Sequence, residues 1–413
     1  MVQLNLSCIS SKLSEDIIQH AFKIKTNSED SVNYIKVTRA APAGEGLIAA
    51  VYRIACLGQY HKTSFIAKGL VQDKLLRKSI LCSKIFFQRE AYFYTNILPA
   101  LTAVQKALGA KESLQNNIPI CYGSYTDGAN DYILLEDLAE NGCKSLTNEP
   151  TEQERDTTLK ALAHLHAVSM ALRVTKPEIF NSIATQLPEA YYNDINRDWY
   201  AAYLKNAIAI DFDVLAEFED PKTSVYYKRF ENLISNGVYK QLIELTSHRD
   251  ELAVFNHGDA WTPNFLCSEE LTVAIDFQAL RCSSVALDLS YFIVLCGNLV
   301  QTKQDFQKAV KIYYDFLKYY LRDMGIDENK VCSWNILNEE LKKYGKFGLL
   351  AAVTSIPLLV SKKCDVLEKF EEKYAGYERI PLEELWKLTP IESHEQKKWL
   401  VNVVRISVDL GLI

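Results

Sequence analysis

The sequence predicts an α+β protein in which a β-rich N-terminal region precedes a mostly helical remainder. Early segments are rich in β-branched and aromatic residues, as β-strands are, and only one clear helical pattern lies among them. From Pro150 onward, apolar residues recur at helical spacing over most of the chain. At 413 residues the chain is long enough for more than one domain, and the change of pattern places a boundary near 137–145.

In the first region, three early strands are predicted within VNYIKVTRA (32–40), AAVYRIACLG (49–58) and SFIAKGL (64–70). A helix is predicted across roughly 80–97, and Pro99 is expected to end it. Two more strands, IPICYGSY and DYILLEDL, are separated by a TDGAND turn whose Gly and Asn tolerate positive φ. The predicted order is therefore strands, helix, strands.

The second region begins with a helix signal. Thr151 and Glu154 form a capping box, and one apolar face then continues to about Leu172. The exception to the helical pattern is the stretch 254–278, where two short apolar runs flank a Ser-Glu-Glu turn. This stretch predicts a β-hairpin within a helical region.

Composition and charge exclude several classes of protein. Hydrophobic residues make up 48% and charged residues 24% of the chain, which is typical of a folded globular protein. A net charge of −6 disfavours nucleic acid as a partner. The ten cysteines show neither Cys-x-x-Cys pairs nor zinc-ligand spacing, which favours free thiols. No signal peptide is evident and the apolar stretch 347–360 is too short to span a bilayer, so we expect a cytoplasmic protein.

The strongest chemical signal is the segment His257-Gly258-Asp259-Ala260-Trp261-Thr262-Pro263-Asn264, followed by Asp276. Metal-bound ATP needs oxygen ligands from a carboxylate and an amide, and an acceptor hydroxyl needs a carboxylate to take its proton. Asp276 and Asn264 would hold Mg²⁺, with Asp259 as the base, since Asp-x4-Asn followed by a carboxylate is the spacing of a kinase catalytic loop. Each piece alone also fits a loop turn or a helix cap.

With this segment, the chain resembles the ecdysteroid kinase-like family of insects, also called CHK kinase-like, which is related to choline kinases and aminoglycoside phosphotransferases. Four further segments match in order: LLEDL (134–138), ALAHLHAVSMAL (161–172), IDFQ (275–278) and ALDLSYF (286–292). The resemblance implies a protein-kinase-like two-lobed fold. Residues 1–138 would be the nucleotide-binding lobe and 139–413 the catalytic and acceptor-binding lobe of an ATP-dependent phosphotransferase that uses Mg²⁺.

The resemblance also places the nucleotide site. Gly44-Glu45-Gly46 is similar to the family's glycine loop, although it departs from the protein-kinase Gly-x-Gly-x-x-Gly pattern. Lys68 would contact the α- and β-phosphates and pair with Glu90 on the predicted helix. A solvated strand-end lysine and a surface glutamate are the alternative, and Lys62 and Arg89 are the competing choices.

Three further positions are expected from the same resemblance. Glu136, Asp137 and Leu138 would form the hinge whose backbone groups bind adenine. In the catalytic loop, His257 accompanies Asp259 as a catalytic residue. Asp288 would brace that loop from the start of a helix, although a plain N-cap predicts the same location. His166 is interpreted as a hydrogen-bonded core histidine.

The acceptor is expected to be a small molecule, because only twelve positions separate Asp276 from Asp288 and no Ala-Pro-Glu segment follows. Trp261 is the candidate acceptor contact. The aromatic stretch 191–203 is either an acceptor wall or core. The expected acceptor is an ecdysteroid or a xenobiotic alcohol or glycoside handled in detoxification, with choline or ethanolamine, or a catalytically inactive pseudokinase, as alternatives. No protein partner is implied.

Overall fold

The computed structural model describes residues 4–40, 49–70, 83–247, 249–250, 252–361 and 379–413, with the side chain of Ser83 left aside. These residues form two compact units. The first consists mainly of the described residues of 4–96 and 118–144, and the second of those of 97–117, 145–361 and 381–413. A β-rich unit and a mostly helical one confirm the predicted α+β class. The assignment of domains at 138 and 139 stays a prediction.

The first unit is built on an antiparallel sheet of five strands in the order β1-β2-β3-β5-β4. In β3 the burial pattern shows side chains covered on both faces, as expected for its central position. In the sheet register, Lys68 on β3 lies opposite Val51 on β2 and Ile133 on β5. The strands are β1 Tyr34–Arg39, β2 Ala49–Leu57, β3 Lys62–Leu70, β4 Cys121–Tyr125 and β5 Tyr132–Glu136.

Helix α1 (Glu15–Thr26) covers part of this sheet. Its N-cap, Ser14, accepts a hydrogen bond from the Ile17 amide, and the helix buries Ile18 and Phe22. These side chains join a core that includes Ile54 and Phe65 of the sheet. The apolar side chains that predict strands in VNYIKVTRA and its neighbours therefore have a second role. They pack against α1 and attach it to the sheet.

The predicted helix across roughly 80–97 corresponds to α2 (Ser83–Tyr92) followed by a π-helical turn (Phe93–Ile97). The expectation that Pro99 ends the helical run is wrong. The chain continues directly into α3 (Leu98–Ala107), and Pro99 lies in its first turn. A proline is tolerated there because the first-turn amides of a helix have no partner one turn earlier in that helix.

The second unit is dominated by helices. The Thr151–Glu154 capping box is present and starts α4, which extends three residues beyond the predicted end at Leu172. Helix α9 is buried along its whole length. The helices after α3 are α4 Glu152–Thr175, α5 Pro177–Thr185, α6 Arg197–Phe218, α7 Val225–Ser235, α8 Val238–Ser247, α9 Val285–Leu295, α10 Lys303–Asp323, α11 Glu328–Val331, α12 Trp334–Tyr344, α13 Lys346–Val360, α14 Leu382–Leu385 and α15 His394–Asp409.

Short strands interrupt these helices where the hairpin is predicted. β8 (Phe265–Cys267) pairs antiparallel with β9 (Thr272–Ala274), which confirms the hairpin. A second pair, β7 (Ala253–Asn256) with β10 (Arg281–Ser284), encloses it in sequence, and β10 was not predicted. A further two-residue strand, β6 (Lys144–Ser145), precedes α4. The two strand pairs therefore anchor the chain on both sides of the predicted catalytic residues.

Two observations bear on the cysteines and on membranes. The eight cysteines within the described ranges are free thiols, as predicted, and Cys82 and Cys364 lie outside those ranges. In the part of the chain that the structure describes, every helix is too short or too polar to cross a membrane.

Candidate active site

Lys68 and Glu90 form a buried ion pair in the first unit. Lys68 is 7% exposed on β3 and Glu90 is 2% exposed on α2. The Lys68 Nζ lies 2.7 Å from Glu90 Oε1 and 3.0 Å from Oε2. A buried lysine is costly unless its charge is compensated, and the carboxylate provides this compensation. Lys62, the competing choice, is exposed at the start of the same strand.

The predicted hinge residues, Glu136, Asp137 and Leu138, lie at the end of β5 and directly after it. The Asp137 carboxylate forms an ion pair with Arg53 Nε at 2.5 Å and caps a 3₁₀ turn over Leu138–Asn141. The Glu136 amide donates to the Ile120 carbonyl at 2.8 Å, as a strand residue would. Burial would raise the pKa of Asp137, but hydrogen bonds from Arg53 and Ser64 hold that pKa below its usual value. The Asp137 side chain therefore stabilises this unit, and an adenine contact would fall to backbone groups.

The predicted glycine loop, Gly44-Glu45-Gly46, lies outside the residues that the structure describes.

In the second unit, the predicted catalytic loop between β7 and β8 makes a turn that requires glycine. Gly258 has φ of +86°, and a Cβ atom there would lie 1.9 Å from the Ala279 carbonyl oxygen. Residues with a side chain are disfavoured at such φ values and could not occupy this space. The glycine of the His-Gly-Asp motif thus lets the loop approach the chain just before β10.

Asp259 and Asn264 contact each other across this loop. Asn264 Nδ2 donates to both the backbone carbonyl and the carboxylate Oδ2 of Asp259, each at 3.0 Å. Because both bonds use Nδ2, the Asn264 Oδ1 remains oriented away from Asp259. The five-residue spacing predicted from the sequence therefore produces direct contact between the two side chains.

The electrostatics of Asp259 differ from those of a surface carboxylate. Burial raises the pKa of Asp259 to about 7, and the negative charge of Asp276 contributes to the rise. The hydrogen bond from Asn264 and the positive charge of Arg281 act in the opposite direction. This carboxyl therefore accepts a proton far more readily than an exposed aspartate does.

Asp288 lies in the first turn of α9 and binds the catalytic loop. Its carboxylate accepts hydrogen bonds from the amides of His257 at 2.6 Å and Gly258 at 3.0 Å. Ser284, not Asp288, is the N-cap of the helix, so the plain-cap alternative does not describe it. Burial would raise the pKa of Asp288, but the hydrogen bond from His166 and the charges around it hold the pKa below its usual value.

His166 extends this bracing network. Its Nε2 lies 3.2 Å from Asp288 Oδ2, and its Nδ1 lies 2.8 Å from the Tyr313 hydroxyl. One ring nitrogen therefore faces the carboxylate and the other faces the phenol, so both nitrogens have a partner. His164, two residues earlier, points away toward Asn117 and Gln105. His166 is thus a hydrogen-bonded core histidine, and its link to Asp288 was not foreseen.

The structure places His257 beneath the loop, fully buried. Its Nε2 donates to the Ile275 carbonyl at 2.9 Å, and its ring packs against Phe265 and Phe277. This bond connects the residue before Gly258 to the residue before Asp276. The His257 side chain therefore links the His-Gly-Asp segment to the backbone directly before Asp276.

Asp276 has a rare backbone conformation. Its φ of 68° and ψ of 59° place it in the left-handed region, which only one other described residue with a side chain, Asn27, also adopts. Such a conformation costs about 1 kcal/mol or more and persists where the surrounding structure imposes it. The strain occurs at the predicted metal-binding aspartate, where the chain turns from the hairpin into a 3₁₀ turn.

A family profile described as the ecdysteroid kinase-like family matches residues 43–326, more than half of the chain. The chain belongs to the ecdysteroid kinase-like family. This membership supports a small-molecule kinase and confirms the resemblance found in the sequence.

Solved structures similar to this ecdysteroid kinase-like protein are distant in sequence. An ethanolamine kinase from Plasmodium vivax is 12% identical and covers 97% of this chain and 87% of its own, with a TM-score of 0.41. A choline kinase from Cryptosporidium parvum is 13% identical, covers 92% of each chain and has a TM-score of 0.46. A choline kinase from Streptococcus pneumoniae is 14% identical over 83% of this chain and 98% of its own, with a TM-score of 0.37. No curated protein sequence matches the chain.

Beside the catalytic loop of this ecdysteroid kinase-like protein lies an aromatic cluster, formed by Tyr191, Tyr192, Tyr200, Tyr203, Tyr239, Tyr291 and Phe347. Tyr200 and Tyr203 are 3% and 1% exposed, so these two belong to the core. Tyr191 is partly exposed, and burial raises the pKa of Tyr291, with the negative charge of Asp259 contributing to the rise. Every member of the cluster except Tyr191 is buried, so the aromatic stretch 191–203 contributes mainly to the core.

Two charged residues of this cluster were missed in the sequence. Arg281 on β10 forms an ion pair with Glu189 at 2.8 Å, and the Arg281 side chain is 3% exposed. An arginine soon after Asp276, on a strand that could not be recognised from four residues, gave little signal. Glu189 has the clearer sequence signal of the two, because an acidic side chain directly before Ala-Tyr-Tyr is well placed to accept hydrogen bonds from backbone amides.

Proposed function

We propose that this protein is an ATP-dependent kinase that transfers the γ-phosphoryl group of ATP to a hydroxyl of a small, lipophilic molecule, such as an ecdysteroid or a xenobiotic alcohol or glycoside. The observation that carries the proposal is the Asp259–Asn264 contact on a loop whose backbone is held by Asp288. Precise positioning of such groups supplies most of the catalysis in phosphoryl transfer.

Asp259 is the proposed base. The acceptor oxygen attacks the γ-phosphorus, its proton passes to the Asp259 carboxylate, and the bond between the γ-phosphorus and the bridging oxygen breaks to release ADP. The hydrogen bond from Asn264 fixes which carboxylate oxygen faces the acceptor. His257 and Asp288 act as positioning residues, because their contacts hold the backbone of the loop and leave the reacting atoms to Asp259.

Asn264 and Asp276 have the donor types that Mg²⁺ prefers, an amide oxygen and a carboxylate. The orientation of Asn264 fits this role, since its Nδ2 is engaged by Asp259 and its Oδ1 is left for another partner. When bound, Mg²⁺ would neutralise charge on the phosphates of ATP.

The remaining roles concern nucleotide binding in the first unit. Lys68, held in its ion pair by Glu90, is proposed to contact the α- and β-phosphates. Backbone groups of Glu136, Asp137 and Leu138 are proposed to bind adenine, and Gly44-Glu45-Gly46 to cover the phosphates. The lysine needs its partner because an isolated buried ammonium would lose its proton.

The test is ADP formation by the purified protein with Mg²⁺ and ATP across ecdysone, salicin, choline and ethanolamine. We expect turnover of ecdysone or salicin, and a loss of about 10²–10⁴-fold for Asp259→Asn, the range in which a general base contributes. Nucleotide affinity should stay within a few-fold for Asp259→Asn and fall for Asp276→Asn, measured by calorimetry. Equal turnover by Asp259→Asn and the unchanged protein would overturn the assignment of the base.

A further inference from the structure

A groove of about 870 Å³ lies in the second unit, between α12 and the chain that leads into β7. Helix α12 contributes Ile336 and Glu340 to its lining, and the chain before β7 contributes Arg249 and Leu252. None of the described residues that line it belongs to the predicted catalytic loop. The volume is within the range of small-molecule sites. The groove is therefore large enough for a small ligand and is formed by residues that the proposed kinase chemistry does not use.

Glu340 contributes a buried carboxylate oxygen to this groove. The residue is 8% exposed, and its Oε1 is buried without a hydrogen-bond partner within the described residues. Burial raises the pKa of Glu340, a hydrogen bond from the Ser284 hydroxyl opposes the rise, and the charge of Asp250 adds to it. A buried carboxylate is costly when its charge is not compensated, and native structures rarely retain an open oxygen of this kind unless a ligand or water completes it.

The other two acidic side chains that line the groove already have basic partners. Asp250 forms an ion pair with Lys343 and also accepts a hydrogen bond from the Tyr344 hydroxyl. Glu339 forms an ion pair with Lys342 at 2.7 Å. Both lysines of the lining are thus engaged by these acids, and neither acid needs a ligand to balance its charge.

Arg249 is the remaining basic side chain of the lining. It is exposed, and its Nη2 donates to the Leu187 carbonyl at 3.1 Å. Within the described ranges it forms no ion pair with a carboxylate. A guanidinium has five N–H donors, so the others are available to an anionic group. The charges of the groove therefore leave one carboxylate and one guanidinium for another molecule to match.

Apolar side chains complete the lining. Leu252 is buried and Ile336 is 38% exposed, and both line the same groove as Glu340 and Arg249. Contact with these side chains removes alkyl surface of a ligand from water, which is favourable. The ligand that fits this combination has an alkyl part and two opposite charges.

We propose that this groove binds an aliphatic amino acid, whose ammonium group donates to Glu340 Oε1 and whose carboxylate accepts from Arg249. A simple amine would leave Arg249 unmatched, and a simple carboxylate would leave Glu340 unmatched. The site goes beyond the proposed function. It also adjoins an element that holds the catalytic loop, because Ser284, which binds Glu340, is the N-cap of α9, the helix that carries Asp288.

Calorimetric titration of the purified full-length protein tests this binding. The probes are glycine, γ-aminobutyrate and 6-aminohexanoate, whose two charges lie at increasing separations, and the solution contains neither nucleotide nor acceptor. We expect at least one of the three to bind with a Kd of about 1 mM or tighter. n-Butylamine and butyrate, which carry one charge each, should bind at least about tenfold more weakly, because each loses one charge-assisted contact.

Two pairs of variants separate ligand contact from the general charge of the groove. Glu340→Gln keeps the size of the side chain but removes its charge, and should weaken binding of the tightest probe by about tenfold or more. Its control is Glu339→Gln, which changes the adjacent exposed acid and should weaken binding by less than about twofold. Arg249→Gln should weaken binding by about tenfold, with Lys342→Gln as its control. Because Arg249 is exposed, this second pair serves if Glu340→Gln fails to fold.

Three results would overturn the inference. The first is absence of binding by all three amino acids, which would mean that water alone completes Glu340 Oε1. The second is binding of n-butylamine or butyrate as tightly as the tightest amino acid, and the third is an equal loss for each variant and its control. Failure of the proposed kinase activity is seen separately, as a lack of ADP formation, since these titrations involve no turnover.

Discussion

The catalytic loop and the aromatic cluster differ in how far the protein satisfies its own polar groups. In the loop, the amides of His257 and Gly258 and the side chain of Asn264 have protein partners. The exception among the described loop side chains is the Trp261 Nε1, which is buried without an acceptor. Around the cluster, the Nη1 of Arg281 and both oxygens of Asp211, a buried residue of the helix that carries Tyr200 and Tyr203, have none within the described ranges. The protein itself therefore holds the backbone of the loop in one geometry. The cluster has buried polar groups that only another molecule or a bound proton would satisfy.

In the proposed phosphoryl transfer, this difference corresponds to two kinds of group. The groups that act on every acceptor must be held before the acceptor arrives, and a hydrogen-bonded loop achieves this. The groups that distinguish acceptors gain most when a ligand provides the missing partner, because an incorrect ligand then leaves them unsatisfied. Three substitutions test whether the contrast holds, beginning with the largest expected effect.

Asp288→Ala should be the most damaging change to the loop. It removes the carboxylate that accepts the His257 and Gly258 amides and faces His166, and leaves these groups buried without a partner. We expect a loss of about 3–5 kcal/mol in the free energy of unfolding, measured with urea. Asp305→Ala is the control, since Asp305 is a half-buried capping residue of α10 and its loss should cost about 1 kcal/mol. Equal losses for the two variants would contradict the bracing role.

Gly258→Ala should destabilise the loop by steric overlap. The added Cβ would meet the Ala279 carbonyl at 1.9 Å in addition to the strain of a positive φ. We expect about 2–4 kcal/mol from the overlap and the strain together, measured by urea unfolding. Gly325→Ala is a matched control, because Gly325 has a φ of +69° but open space around it, and should cost only about 1 kcal/mol. If both alanines cost the same, close approach is not what requires glycine at position 258.

Asp211→Asn should slightly raise the free energy of unfolding, whereas the two preceding substitutions lower it. The native pKa of Asp211 is raised by burial, so the wild-type protein is most stable below the unfolded pKa of about 3.9 and loses stability as pH rises toward the native pKa. Asparagine does not titrate. The variant should therefore match the wild type near pH 4 and exceed it by on the order of 1 kcal/mol at pH 8.

Urea unfolding at pH 5 and pH 8 measures this gap. Asp213→Asn on the same helix is the control, since Asp213 is exposed and its replacement should leave the pH dependence of stability unchanged. A gap that fails to widen with pH would mean that Asp211 is charged in the folded protein, and the cluster would then hold a free carboxylate.

Local signals in the sequence were sufficient for much of the fold. The Thr151–Glu154 capping box, the five strands of the first sheet and the hairpin near 265–274 all depend on neighbouring residues, and all were predicted. Pro99 was misread because a proline can begin a helix as well as end one, and only the preceding π-helical turn distinguishes the two. Strand β10 was missed because its four residues carry no alternation of their own.

The sequence by itself determined the kind of chemistry, since the spacing of His257, Asp259, Asn264 and Asp276 and the family match are properties of the chain. The tertiary structure decided which groups are satisfied and which are left open. Asp288 reaches the loop from another element, and Arg281 meets Glu189 across 92 positions of sequence. A hydrogen-bond partner that is distant in the chain leaves no periodic trace in the sequence, so the open donor of Arg281 became visible only once the fold brought these elements together.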